Sequence, residues 1–196
     1  HRHHCLLTAA FGYNLVRQRI TTAPPSQERE ASSGLPYIDY INLPRLHAFS
    51  AQLSAQNSWT LGQGTVGLRL NYAFTHEEAQ QGNSLTPYLP ARPHAITARI
   101  SYDLPWRIDN SWGIQLSGRW LSSIHSEEYT ASTGAMHDVH YPAYALLRLA
   151  TTLSLNHAWQ LSLAADNLLN YRPHIYFYNA PTTDGIDVQV GATYRF

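Results

Sequence analysis

Residues 186–196, Ile-Asp-Val-Gln-Val-Gly-Ala-Thr-Tyr-Arg-Phe, decide the fold. In an extended chain Ile186, Val188, Val190, Ala192, Tyr194 and Phe196 fall on one face. Asp187, Gln189, Gly191, Thr193 and Arg195 fall on the other. Strict alternation at a period of two is the pattern of a β-strand with one apolar and one polar side. Tyr194 and Phe196 add aromatic rings on the apolar side, the residue type favoured where hydrocarbon meets water. The stretch predicts a membrane-crossing strand that ends at an interface.

Seven more segments carry the same pattern. Over 6–18, Leu7, Ala9, Phe11, Tyr13 and Leu15 oppose Thr8, Ala10, Gly12 and Asn14. Over 46–56, Phe49, Ala51, Leu53 and Ala55 oppose Ser50, Gln52, Ser54 and Gln56. Over 65–75, Val66, Leu68, Leu70, Tyr72 and Phe74 share a face, and over 96–104 so do Ile96, Ala98, Ile100, Tyr102 and Leu104. The remaining three place Trp112, Ile114, Leu116, Gly118 and Trp120 together, then Ala145, Leu147, Leu149, Thr151, Leu153 and Leu155, then Trp159, Leu161, Leu163 and Ala165.

The connections alternate in length: 21–45, 76–93, 122–142 and 170–185 are long, whereas 57–64, 105–111 and 156–158 are short. Outer-membrane barrels have short periplasmic turns and long external loops, so every long connection is expected outside the cell. Trp59, Trp106, Trp112 and Trp159 sit beside the short turns, at the level of Phe196, and predict an aromatic girdle. The expected fold is all-β, an antiparallel up-and-down transmembrane β-barrel segment of about eight strands spanning 1–196.

Composition supports a surface that does not face only water. Asp, Glu, Lys and Arg make up 13% of the 196 residues and aromatics 12%, against roughly 25% charged residues in soluble domains. No apolar run approaches the ~18 residues of a membrane helix, so the spanning elements must be strands. A formal net charge of zero gives no basic field for nucleic acid. Cys5 is the single cysteine and excludes a disulfide within the chain. The chain opens on His1 with no leader pattern, which reads as an interior start of a longer protein. His1, His3, His4 and Cys5 read as the rim of a strand rather than a metal cluster.

At this point several stretches resemble the C-terminal barrel portion of TonB-dependent outer-membrane receptors. Residues 161–177, Leu-Ser-Leu-Ala-Ala-Asp-Asn-Leu-Leu-Asn-Tyr-Arg-Pro-His-Ile-Tyr-Phe, resemble that family's Asn-Leu-Phe-Asn strand end, with Leu169 in place of the usual Phe. Residues 190–196, Val-Gly-Ala-Thr-Tyr-Arg-Phe, resemble its usual ending, and Leu-Pro-Ala-Arg-Pro-His-Ala-Ile-Thr-Ala-Arg-Ile-Ser-Tyr-Asp-Leu over 89–104 is similar to its proline-led returning strand.

The resemblance implies an open curved sheet from a larger 22-stranded barrel, with the plug domain and N-terminal strands absent from these residues. It implies residence in the Gram-negative outer membrane and import of a scarce nutrient such as an iron complex, siderophore, haem or cobalamin. The implied partners are outer-membrane lipid, the barrel assembly machinery, which would read Tyr194 and Phe196 as a sorting signal, a small-molecule ligand, and TonB through the missing N-terminal region. The alternative is a complete small eight-stranded barrel with a structural or adhesin role. In either case Arg69, Arg99, Arg119, Arg148 and Arg195 fall on the polar side with Asp103, Asp166 and Asp187. In a small closed barrel they would pair with one another, and in a receptor they would face the plug or lumen water.

The long loops concentrate His, Tyr and Met, with His125, Met136, His137 and His140 in one and His174, Tyr176 and Tyr178 in the next. All three types ligate haem iron, so His125, His137, His140, His174 and Tyr176 are candidate ligand-binding residues, against the plainer reading of polar loop histidines. Haem or an iron chelate would be cargo; no resident cofactor or metal is expected. Ser123 with His125 is the nearest pair for an outer-membrane hydrolase, but no acid or amide orients it. Neither a nucleophile elbow nor a phosphate loop appears, and enzyme activity is not expected.

Overall fold

The structure, a computed structural model, describes residues 4–22, 40–81, 84–87, 92–130, 135–173 and 183–196. Eleven strands follow in chain order: β1 (His4–Thr22), β2 (Tyr40–Leu61), β3 (Gly64–Gln81), β4 (Ser84–Pro87), β5 (His94–Arg107), β6 (Asn110–Leu121), β7 (Ile124–Thr130), β8 (Ala135–Tyr141), β9 (Tyr144–Leu155), β10 (Trp159–Asp166) and β11 (Asp187–Tyr194). Eight of them form one antiparallel sheet in the order β1-β2-β3-β5-β6-β9-β10-β11, with β4 paired to the end of β3. Each main strand lies beside its chain neighbour, the up-and-down topology expected. β1 and β11 are the two edges of an open sheet; the small closed barrel would need them paired.

Register explains why the sheet has two unlike sides. Ala9 lies opposite Leu53, Leu53 opposite Tyr72, Tyr72 opposite Ile96, Ile96 opposite Trp120 and Trp120 opposite Ala145. Lower down, Leu116 faces Leu149, and Leu163 lies between Thr151 and Val190. Because a slip of one residue would send every side chain to the opposite face, this register joins all eight apolar stripes into one continuous surface. That surface is open: Phe11 is 80% and Val190 81% accessible. The buried apolar residues are few, and one small cluster, Leu43, Leu46 and Ala79 with Val16 against it, lies far up β1–β3. The described residues therefore form no conventional core, and their largest apolar area needs cover from outside.

The short turns are built by local chemistry. Asn156 and His157, with φ of 50° and 54°, make the left-handed pair that suits the twist of a tight hairpin. The Asn110 side-chain oxygen accepts from the Asn156 N–H at 2.8 Å, and His157 Nε2 lies 2.7 Å from Asp109 Oδ1, tying two neighbouring short turns together. Gly62 takes φ 65° in the β2–β3 turn. Trp159 packs on Tyr194 with ring centres 4.7 Å apart, and Tyr194 on Phe196 at 6.3 Å. With Trp112, whose indole N–H donates to Thr151 Oγ1 at 2.7 Å, these rings form the girdle at the short-turn end.

The long connections hold more strand than the alternation predicted. β2 starts at Tyr40, inside the expected 21–45 loop, and β3 runs on to Gln81 with β4 beside it. At about 3.3 Å per residue, the 22 residues of β2 extend roughly 70 Å, about twice what a tilted strand needs to cross a bilayer. The upper ladder carries polar residues on both sides, so apolar alternation could not reveal it. It even tolerates Pro44: the pairing passes from Arg17–Arg45 to Arg19–Leu43, stepping over Pro44, which has no N–H, and Gln18, which has φ 55°. The 122–142 loop is likewise a hairpin, β7 paired with β8, that shares no ladder with the main sheet.

Candidate functional site

The polar side of the sheet is concave. Residues of β3, β5, β6, β9, β10 and β11 line a hollow of about 710 Å³, and four guanidinium groups stand in it: Arg69, Arg99, Arg119 and Arg148. Arg69 and Arg99 lie directly opposite one another in register, an arrangement that like charges disfavour without an anionic neighbour. Arg148 pairs with Asp166 at 3.2 Å, and Arg69 donates to Gln56 at 2.9 Å. Asp187 is taken by Gln189, whose amide donates to it at 2.8 Å. Arg99 and Arg119 have no carboxylate partner among the described residues. The mutual neutralisation expected for a small closed barrel is thus met by a single pair. The wall presents net positive charge to whatever fills the hollow.

The upper rim of β10 is a polar knot. Asn167, 6% accessible and at φ 53°, places its Nδ2 within 3.0 Å of the Tyr171 and Gly185 carbonyls and of Thr183 Oγ1, while its Oδ1 accepts from the Tyr171 N–H at 2.9 Å. Asn170 repeats the left-handed conformation, and its N–H closes the turn onto the Asn167 carbonyl at 2.8 Å. The Asn-Leu-Leu-Asn stretch is therefore a two-asparagine turn that ties β10 to the start of β11, since Asn tolerates positive φ and bonds its own backbone. Asn167→Ala is expected to cost about 3 kcal/mol, from several buried hydrogen bonds lost together with a strained backbone. Denaturant unfolding of the intact protein in lipid vesicles measures it, and Asn167→Asp, which keeps only the acceptor, should fall between.

A second rim structure carries the loop histidines. His125 and His140 lie opposite each other on β7 and β8, and their rings stack with centres 4.5 Å apart. His137 faces Glu128 in the register, hence lies on the other side of the hairpin. Of the predicted ligand residues the structure thus brings His125 and His140 together and sets His137 apart. His174 and Tyr176 lie outside the described residues. The Ser123–His125 pair makes no hydrogen bond, and the His125 ring is engaged with His140 instead.

Arg92 fixes the neck of this hairpin and was not among the sequence candidates. It is 9% accessible. Its Nη1 donates to the Ser122 carbonyl and, at 2.8 Å, to that of Pro142, the residues just before β7 and just after β8. The guanidinium lies 4.7 Å over the Tyr144 ring, which stacks in turn on Tyr171 at 5.0 Å. Ser122 also exchanges bonds with His94, its N–H donating to the His94 carbonyl at 3.0 Å and its Oγ accepting from the His94 N–H at 3.1 Å. The only signal in the sequence is an arginine set just before a proline, in a stretch otherwise introducing a strand.

Comparison with known proteins agrees with this geometry. The sequence model described as "TonB dependent receptor-like, beta-barrel" matches residues 5–168. Among solved structures, the FrpB iron transporter from Neisseria meningitidis (F3-3 variant) superposes with a TM-score of 0.65 at 15% identity, over 98% of this chain and 29% of that one. At that identity the likeness shows the fold alone, and this chain spans under a third of the transporter's length. No curated protein sequence matches. With a family model covering most of its length and an open, two-faced antiparallel sheet, this chain belongs to the TonB-dependent receptor family as part of its β-barrel.

Proposed function

We propose that this chain is wall and external loop of an outer-membrane receptor of Gram-negative bacteria that imports a scarce nutrient, an iron complex first among the candidates. The observation that carries the reading is the open sheet itself. One face is continuous hydrocarbon-compatible surface, the other is concave and polar, and neither edge has a partner strand among the described residues. An unpaired edge in lipid leaves a row of N–H and C=O groups unsatisfied, so further strands of a larger barrel would complete it. In that setting the apolar face meets lipid, the girdle of Trp112, Trp159, Tyr194 and Phe196 lies at the periplasmic interface, and the hairpin stands outside the cell. The assembly machinery would read Tyr194 and Phe196, and a plug contributed by the rest of the protein would contact TonB.

The cargo reading is supported by the arginines. Four guanidiniums offset by two carboxylates, Asp166 and Asp187, leave net positive charge that suits a ligand or plug surface of negative charge, as many iron chelates carry. Receptors of this family are transport proteins, and no enzyme activity is proposed for this chain. The test is growth of the parent bacterium, with other iron routes removed, on ferric chelates or haem as sole iron source. Growth should require both the intact receptor and TonB. Equal growth without either would overturn the proposal, and recovery of the protein from inner membrane rather than outer would overturn its placement.

A further inference from the structure

We propose that His125 and His140 form a two-nitrogen chelate for a transition-metal dication such as Zn(II), Ni(II) or Cu(II), displayed on the β7–β8 hairpin. The inference rests on the hairpin alone and stands whether or not the import reading holds. The two histidines are direct cross-strand partners, and both are exposed, so no burial holds the rings in a structural role. Asp138, two residues before His140 on β8, lies on the same face by register and brings negative charge to that side of the hairpin. Among the described residues no cluster of three or more His, Cys, Asp or Glu is assembled for a metal. The pair therefore supplies two ligands and leaves the other coordination positions to water or to a chelator that arrives with the ion.

Ring separation distinguishes between the two ways in which paired imidazoles bind metals. With metal–nitrogen bonds of about 2.0–2.1 Å and a ring centre about 1.1 Å beyond the nitrogen, imidazoles on adjacent coordination positions have centres about 4.5–5 Å apart. On opposite sides of one ion, as around a haem iron, the same geometry sets them about 6.3 Å apart with a porphyrin between. The observed 4.5 Å, between ring planes 26° apart, is a stacking separation that leaves no room for a porphyrin plane; a turn of either ring about its Cβ–Cγ bond brings one nitrogen of each onto adjacent positions of a single ion. Imidazole is a favoured ligand of Zn, Ni and Cu, with Cu(II) bound most tightly in the usual order. A hairpin holds both rings at one place before the ion arrives, so the second nitrogen binds at high effective concentration.

The experiment uses the intact receptor in detergent, titrated with Cu(II) and Ni(II) against a chromophoric chelator. Copper spectra are recorded by electron paramagnetic resonance. His125→Ala or His140→Ala should each weaken the hairpin ion roughly 100-fold and remove one nitrogen from the copper hyperfine pattern. His137→Ala, on the other side of the hairpin, should change neither. His125→Gln and His140→Gln keep polar, strand-compatible side chains, and so report on the imidazoles even where alanine loosens the hairpin. Unchanged affinity in all four variants overturns the chelate. So does a bis-imidazole haem spectrum that disappears with either histidine, because it would place the rings on opposite sides of an iron. Because the readout is binding and not uptake, failure of the import reading leaves this result intact.

Discussion

Leu163→Arg should cost the assembled protein about 2–4 kcal/mol, whereas Ser162→Arg, one residue earlier, should cost under about 1 kcal/mol. The two side chains leave β10 in opposite directions. Leu163 lies between Thr151 and Val190 on the apolar face, 48% accessible in the open sheet. Ser162 lies between Thr152 and Gly191 on the concave face. In a bilayer the first substitution puts a guanidinium near mid-strand in hydrocarbon, where the charge loses its hydration without gaining a partner. The second puts it beside Gly191, which offers no side chain to clash, in a polar hollow. Unfolding of the intact receptor from lipid vesicles, with heat-modifiable gel mobility as a check on assembly, reads both. Equal destabilisation by the two arginines would mean that both faces are buried in protein, and would overturn the lipid-facing assignment of the Leu163 side.

The contrast also shows what a sequence can reveal about such a fold. Alternation is a property of neighbouring residues, so the face of Leu163, and of every apolar stripe from Leu7 to Val190, could be read without knowing any strand partner. The register then followed the hydrophobic pattern, since a one-residue slip would put Leu163 in the hollow. The upper parts of β2 and β3 escaped because there neither face meets hydrocarbon, and polar residues occupy both, Glu77 on one and Glu78 on the other. The β7–β8 hairpin escaped for the same reason.

The candidate site was less legible still. His125 and His140 are fifteen positions apart, and only the hairpin register makes them partners. Loop composition alone grouped them with His137, which lies on the opposite side. The turn at Asn167 was visible as a motif, but its bonds to Thr183 and Gly185 depend on where β11 begins. Arg92 depends on carbonyls thirty and fifty residues away, which no local pattern encodes.

Arg92→Ala should release the hairpin from the barrel rim while leaving the barrel folded. The substitution removes a charged donor shared by the Ser122 and Pro142 carbonyls and a cation over the Tyr144 ring. Together these are worth about 2–4 kcal/mol at a buried position. The loss is local, because Arg92 bonds to the neck of the hairpin and not to the ladders of β5, β6 or β9. Hydrogen exchange of the intact receptor should show protection falling across 124–130 and 135–141, with amides of β6 and β9 unchanged. Arg92→Lys keeps the charge but not the planar donor that stacks on an aromatic ring while bridging two carbonyls, so it should restore only part of the protection. Unchanged protection in Arg92→Ala would show that the Ser122–His94 bonds alone hold the neck. The same variant separates two roles of the hairpin: His125 and His140 are brought together by the β7–β8 register, so copper affinity should stay within a few-fold. Uptake should fall if the hairpin must be held over the mouth to receive cargo. An affinity that collapses with Arg92 would mean that the rim, rather than the hairpin ladder, sets the spacing of the two imidazoles.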